Sequence, residues 1–174
     1  YSVDRPDYWI PAMTDVALPG LKGKPLWPIN CCLGEVSCAL GTQLLDRVDE
    51  MNAQRRARAL AVIDALADCP ELVFHREASL RHSYYLLAAH VQKGLRDRFI
   101  RRMAEHHGIQ CVVQYYPLNR YPLYRDLGFG EAVVPSTDAF FDNMVSLPFS
   151  HLLTDVQIEQ MIAATRETVE FLRR

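Results

Sequence analysis

Apolar residues recur every three to four positions along much of the chain, and this period predicts amphipathic helices. The first predicted helix is long and runs from Leu33 to about Asp68, because Pro70 stops it. A second helix is predicted after Gly94. Gly108 is expected to end that helix, as the left-handed residue just past its C-terminus.

Two further helices are predicted nearer the C-terminal end. Ser136 or Thr137 is expected to cap a helix that extends through Met144. Thr154 and Gln157 have the spacing of a capping box, in which each side chain bonds the backbone N–H of the other residue. The apolar stripe of the final helix is expected to be buried and consists of Ile158, Met161, Ile162, Thr165, Val169 and Leu172.

Short apolar segments between these helices predict strands, because their side chains alternate or their residues favour strands. The segments are residues 72–74, 83–91, 109–115 and 145–149. Helices and strands in this order predict an α+β domain at residues 33–174. Its sheet is expected to be small and mainly antiparallel, with helices packed on one side.

Residues 1–32 are predicted to form an extended arm rather than regular structure. This segment holds Pro6, Pro11, Pro19, Pro25 and Pro28, and each proline fixes φ and removes a backbone donor. The arm also carries tyrosines, tryptophans and aliphatic residues, so it is expected to lie against a neighbouring surface. The composition of the arm favours a fragment of a longer protein, and so does the first residue, which is a tyrosine rather than a methionine.

Composition excludes several classes of function. A net charge of −2 and a pI near 6.3 argue against nucleic acid as the main partner. No apolar run is long enough for a membrane span. Five cysteines without a CxxC pair indicate reduced thiols in a cytoplasmic protein. No metal site is predicted, because adjacent His106 and His107 are expected to point about 100° apart on a helix.

Three sequence segments, in this order, resemble the C-terminal region of the DegT/DnrJ-type aminotransferases. The segments are Asn30 through Leu44, His82-Ser83-Tyr84-Tyr85, and Gly108 through Pro148 with Tyr116-Pro117-Leu118 and Ser146-Leu147-Pro148 inside it. The resemblance implies the C-terminal small domain of a fold type I pyridoxal-phosphate (PLP) enzyme. It further implies a homodimer that aminates a nucleotide-linked keto sugar, with glutamate as the expected amino donor, in amino-sugar or polysaccharide biosynthesis.

The resemblance also implies roles for particular residues. Asn30 matches an asparagine that reaches across the dimer interface to the partner's PLP phosphate, although an ordinary helix cap is the alternative. His82, Gln114, Tyr116 and Asn119 are the predicted substrate contacts. Gln114 and Asn119 stand where the family has histidines, so they can form hydrogen bonds to a sugar but cannot shuttle protons.

No catalytic residue is predicted within the chain. PLP chemistry needs a lysine that holds the cofactor, and the chain has only Lys22, Lys24 and Lys93. The resemblance places the catalytic lysine before Tyr1. The leading hypothesis is therefore the C-terminal part of a transaminase. The alternatives are a non-catalytic domain that binds a sugar nucleotide or a partner chain, and one half of a split enzyme.

Overall fold

The computed structural model describes residues 33–77 and 82–174. The predicted proline-rich arm at residues 1–32 lies outside the described residues, and so do Asn30, Lys22 and Lys24. Among the described residues, none of the helices combines the length and apolar content that crossing a bilayer requires.

Two helices occupy the segment in which one long helix was expected. Helix α1 spans Glu35–Leu45 and helix α2 spans Val48–Ala65. The prediction of a continuous helix is wrong, because the chain turns at Asp46 and Arg47 and α2 begins anew there. Helix α1 buries none of its residues, whereas α2 buries Ala59, Val62 and Ile63.

A three-stranded antiparallel sheet forms the centre of the domain, as the sequence predicts. Its strands are β1 (Leu72–Phe74), β2 (Leu87–Val91) and β3 (Met144–Leu147), in the order β1-β2-β3. The expected strand at residues 83–91 is shorter than predicted, because residues 83–86 form a turn and a connecting segment.

The strand expected at residues 109–115 does not form, apart from one bridge. Val112 pairs with Ser146 of β3 through two backbone hydrogen bonds, of 3.1 and 2.7 Å. The pairing stops there because the N–H of Gln114 donates to the sulfur of Met144, at 3.4 Å, instead of to a strand carbonyl. The predicted alternation survives in part, since Cys111 and Val113 are buried while Tyr115 is exposed.

Three more helices of at least nine residues are α3 (Arg96–His107), α4 (Pro135–Asn143) and α5 (Asp155–Leu172). Short helical turns lie at Gln92–Gly94, Leu118–Arg120, Pro122–Tyr124 and Arg125–Phe129. Gly108 ends α3 with φ of 65°, as predicted. The predicted capping box starts α5: Thr154 accepts from the N–H of Gln157, and the Gln157 side chain accepts from the N–H of Thr154. The prediction that Ser136 or Thr137 caps α4 is wrong. The helix begins at Pro135, which has no backbone N–H that would need a partner, and no side chain of the described residues caps it.

The core lies between the sheet and helices α2, α3 and α5. Leu87, Ala89 and Val91 alternate along β2 and are buried, so one face of the sheet packs on the core. Phe99, Ile100 and Met103 of α3 are fully buried, and most of the predicted stripe residues of α5 are buried as well. Ile162 is the exception in that stripe, because it is only half-buried.

An ion pair between an exposed arginine and a buried glutamate joins the end of α5 to the segment before β1. Arg173 donates from Nε and Nη2 to the two carboxylate oxygens of Glu71, both at 2.9 Å. The Glu71 side chain is 10% exposed. Its hydrogen bonds with Arg173 lower the pKa of the Glu71 carboxyl.

Replacing Glu71 with glutamine is expected to lower the free energy of unfolding by about 1 kcal/mol at neutral pH, because the amide has no negative charge and only one oxygen that can accept from Arg173. A lowered folded-state pKa stabilises the protein above the unfolded-state pKa of about 4.3, and this contribution is lost as the pH falls through the folded-state pKa. Urea unfolding from about pH 7 down to pH 3 should therefore show the difference between wild type and Glu71→Gln shrinking in acid. Glu159→Gln, at an exposed position of α5, is the matched control, and a difference that does not depend on pH would contradict the assignment.

The described cysteines are free thiols with different surroundings: Cys38 is exposed, whereas Cys69 and Cys111 are buried. Burial raises the pKa of the Cys111 thiol to about 12. At about pH 8 only roughly one Cys111 thiol in 10⁴ is then ionised, and the thiolate is the reactive form. A thiol-specific reagent followed by peptide mass spectrometry should modify Cys38 quickly and Cys111 only in denaturant. Equal rates in the folded protein would show that Cys111 is accessible.

Candidate functional site

The sheet face that carries Val73 of β1 and Ala88 and His90 of β2 borders a cavity of about 680 Å³. Val73 and His90 are partners in the strand register, and Val73 remains 52% exposed. The cavity, here called the open-face cavity, also reaches the segment before β2 and helix α4. It is lined by Val73, Phe74, His75, His82, Ser83, Tyr84, Tyr85, Leu86, Leu87, Ala88, His90 and Phe140.

His82, a predicted substrate contact, lies in the wall of the open-face cavity. Its Nδ1 accepts a hydrogen bond from the backbone N–H of Tyr84 at 3.2 Å. Its ring also contacts the rings of His75 and Tyr84, with centroids 5.3 and 4.3 Å away. Because Nδ1 accepts, the neutral ring carries its proton on Nε2. His82 can therefore offer one N–H donor to a bound molecule.

Tyr84 fixes the backbone beside His82. It is buried and has φ of 48°, a left-handed conformation that is uncommon for a tyrosine. Its hydroxyl accepts from the N–H of Glu77 at 2.9 Å and donates to the Glu77 carbonyl at 3.3 Å. The neighbouring Tyr85 is 68% exposed, and the guanidinium of Arg55 lies 5.7 Å from its ring centre. One rim of the cavity thus presents an aromatic ring with a cation over it.

His82 is the one lining residue that the sequence predicts as a site residue, and His90 and Phe140 are among those that it does not. Their rings meet edge to face at 4.8 Å. The sequence predicts that Phe140, Phe141 and Met144 all belong to the core of the domain. That prediction is correct for Phe141 and Met144, which are buried, but wrong for Phe140, which is 45% exposed. The signal for His90 was present in the sequence, because a polar residue that alternates with Ala89 and Val91 belongs to the second face of the strand.

The other three predicted substrate contacts lie in the loop after the Val112 bridge and not in the lining of the cavity. Gln114 is half-buried beside Met144. The Tyr116 ring packs edge to face on those of Tyr121 and Phe141, at 4.9 and 5.3 Å. Asn119 donates from Nδ2 to the carbonyl of Ala132 at 3.1 Å, so part of its side chain supports the loop itself.

Helix α4 connects these two groups of residues. Phe140 faces the open-face cavity, whereas the next residue, Phe141, is buried against the loop. Arg120 of the loop lies 5.3 Å from the Phe141 ring centre and forms ion pairs with Asp138 and Asp142 of α4. These carboxylates compensate the charge of Arg120, so its guanidinium serves to hold the loop on α4.

The chemistry of the described site is that of binding. The open-face cavity is lined by aromatic rings, histidines and a serine, a mixture that suits a flat or sugar-like molecule with several hydroxyls. Burial, followed by the nearby Tyr116 and Tyr124, raises the pKa of the Tyr121 hydroxyl, which keeps this group a neutral donor and acceptor.

A PLP site does not fit the described residues. The cofactor requires a lysine that is oriented and desolvated at the reaction centre. Lys93 is the one lysine in the described part of the chain, and it is exposed in a turn at Gln92–Gly94 with φ of 62°. No step of PLP chemistry is therefore assigned to this part of the protein.

Two curated proteins are similar to this chain over most of its length. The spore coat polysaccharide biosynthesis protein SpsC of Bacillus subtilis is 25% identical over 144 residues, which is 78% of this chain and 36% of SpsC. The dTDP-3-amino-3,4,6-trideoxy-alpha-D-glucose transaminase of Micromonospora megalomicea is 29% identical over 147 residues, which is 80% of this chain and 38% of that enzyme. The chain thus spans little more than a third of the length of these relatives.

The fold also matches solved structures. Spr1654 from Streptococcus pneumoniae, solved in its PMP-form, superposes with a TM-score of 0.69 at 25% identity, covering 79% of this chain and 35% of Spr1654. The DegT/DnrJ/EryC1/StrS aminotransferase family matches residues 23–166. Since that match covers most of the sequence and the fold agrees with it, the chain belongs to the DegT/DnrJ/EryC1/StrS aminotransferase family.

Proposed function

We propose that this chain is the C-terminal small domain of a PLP-dependent enzyme that transfers an amino group to a nucleotide-linked keto sugar. The observation on which the proposal rests is the family match over residues 23–166. The chain spans little more than a third of the length of its two relatives, which is the size expected of one domain of such an enzyme. Its α+β fold with one open sheet face supports the same assignment.

The names of the two relatives support the proposed substrate class. One belongs to spore coat polysaccharide biosynthesis and the other is a transaminase of a dTDP-linked amino sugar. The proposed role of this chain is accordingly in amino-sugar or polysaccharide biosynthesis, with glutamate as the amino donor. A homodimer in the cytoplasm completes the proposal, and the free thiols of the described cysteines are compatible with a reducing compartment.

We place the cofactor lysine in the part of the enzyme that this chain does not cover. PLP, when bound there, supplies the electron sink for amino transfer. The PMP-form of Spr1654 supports PLP as the cofactor of the complete enzyme. Asn30 remains a proposed contact to the PLP phosphate of the partner subunit.

Within this chain, the proposed task is to hold the sugar substrate. His82 presents Nε2–H from a ring whose other nitrogen is already bonded, so the donor has a fixed direction. Gln114 and Tyr116 offer an amide and a hydroxyl in the loop supported by α4. Asn119 uses Nδ2 for the loop, which leaves its amide oxygen to accept from a hydroxyl of the substrate.

The first test is the intact mass of the protein purified from its native host, together with the absorbance of bound cofactor. A mass of more than twice 19.9 kDa with a PLP absorption band is expected, since the chain covers 36–38% of its relatives. A protein of 19.9 kDa that carries no cofactor and binds a sugar nucleotide would instead support the non-catalytic alternative. Co-purification with a second, lysine-bearing polypeptide would identify a split enzyme.

The second test concerns substrate contacts in the complete enzyme. Gln114→Leu is expected to lower kcat/KM for the keto sugar about 2- to 13-fold, because one net hydrogen bond contributes about 0.5–1.5 kcal/mol. Most of the change should be in KM for the sugar, with KM for the amino donor unchanged. Gln110→Leu, at an exposed position four residues earlier, is the matched control. Equal kinetics of Gln114→Leu and Gln110→Leu would remove Gln114 from the proposed contacts.

A further inference from the structure

Two histidines and a glutamate meet on the surface formed by α3 and α5. His106 and His107 are the last two residues of α3, and Glu167 lies in the second half of α5. One ligand atom of each side chain lies within 4.8 Å of those of the other two. The Nε2 of His106 lies 3.1 Å from a carboxylate oxygen of Glu167. We call these residues the His-His-Glu cluster.

The structure brings the side chains of His106 and His107 closer together than the expected angle of about 100° between them suggests. That prediction considered only the directions in which the two residues leave an ideal helix. In the structure the rings of His106 and His107 meet edge to face, with centroids 4.8 Å apart. Their side chains therefore turn back toward each other and toward Glu167, which a backbone direction alone does not show.

The cluster also contains a polar atom that lacks a partner. The Nε2 of His107 is buried and has no hydrogen-bond partner among the described residues. An unpaired buried nitrogen is unfavourable, because it has lost water without gaining another bond. A bound cation that accepts the lone pair of this imidazole would remove that cost.

We propose that His106, His107 and Glu167 bind a divalent transition-metal ion, for which zinc is the best fit. Two imidazoles and one carboxylate are a ligand set that zinc accepts in tetrahedral geometry, with water in the fourth position. The three ligand atoms lie up to 4.8 Å apart, so the side chains have to move closer together for all three to reach one zinc ion at about 2.0–2.2 Å. The bound ion would tie the C-terminal end of α3 to the second half of α5.

The frame around the cluster is rigid enough to define a site. Helices α3 and α5 pack against each other. Thr168, the residue after Glu167, donates from its buried hydroxyl to the sulfur of Met103 of α3 at 3.3 Å. This bond joins the two helices close in sequence to the three proposed ligands.

One neighbouring charge opposes the ion and makes the proposal more specific. Arg102 lies 3.6 Å from the same carboxylate oxygen of Glu167, with its guanidinium 4.4 Å from the ring centre of Phe171. A cation at the cluster would be repelled by this guanidinium and would compete with it for Glu167. Removing the charge of Arg102 should therefore tighten metal binding, whereas removing any one ligand should weaken it.

Calorimetric titration of the 174-residue chain with zinc chloride tests the site, and it does so independently of any transaminase activity. We expect one ion per chain in the wild type. Loss of an outer-shell partner typically costs 10- to 100-fold in affinity, so His106→Gln, His107→Gln and Glu167→Gln should each cost at least about tenfold. Arg102→Met should bind more tightly than the wild type.

Matched controls separate this site from general binding to surface histidines. His75→Gln removes a histidine of the open-face cavity, and Glu159→Gln removes an exposed carboxylate of α5. Both should bind zinc like the wild type, and circular dichroism should show that every variant is folded. Titration with cobalt chloride should give a visible spectrum without thiolate charge-transfer bands. Unchanged affinity in the three ligand variants, loss of binding in His75→Gln, or a thiolate spectrum would each overturn the proposal.

Discussion

The contacts of Phe141 determine how the rest of the candidate site is arranged. Arg96 is buried, and its Nη1 donates to the Phe141 carbonyl while its Nε donates to Asp97. A buried guanidinium needs such partners, so it fixes the end of α4 against the start of α3. The Phe141 ring in turn contacts the guanidinium groups of Arg96 and Arg120, at 5.4 and 5.3 Å from the ring centre.

This arrangement gives the open-face cavity and the following loop one common support. Phe140 lines the cavity, whereas the Phe141 ring contacts Tyr116 and Arg120, which both belong to the loop. Helix α4 is short, and strand β3 follows it directly, so it cannot shift without moving the sheet. The open-face cavity and the loop are therefore coupled because both pack on α4, and not because they contact each other.

The sequence predicts those features that depend on local chemistry. Gly108 and the Thr154–Gln157 box define helix ends through bonds between near neighbours, and both are present in the structure. The sequence does not predict the break between α1 and α2 at Asp46 and Arg47, because the apolar period continues across these two residues. Local pattern therefore predicted most helix ends but not every change of direction.

The candidate site was harder to predict than the fold. His82 was predicted from a resemblance, and the structure places it in the cavity wall. Phe140 was missed because a nine-residue helix has aromatic side chains on two sides, and only packing decides which side is covered. The convergence of His106 and His107 depends on side-chain rotation and on Glu167, which is about 60 residues away. Neither fact is contained in a helical period.

The end of α3 and the start of α5 depend only on residues that are close in the sequence, and this has a consequence for the order of folding. Short-range bonds can form these ends before any distant contact exists, since they close only a few residues. By contrast, Leu87 of β2 pairs with Leu147 of β3, so the sheet requires closure of a loop of about 60 residues. The helix ends are thus candidates for early structure, and the β2–β3 pairing on which the cavity depends is expected to limit the rate at which the domain folds.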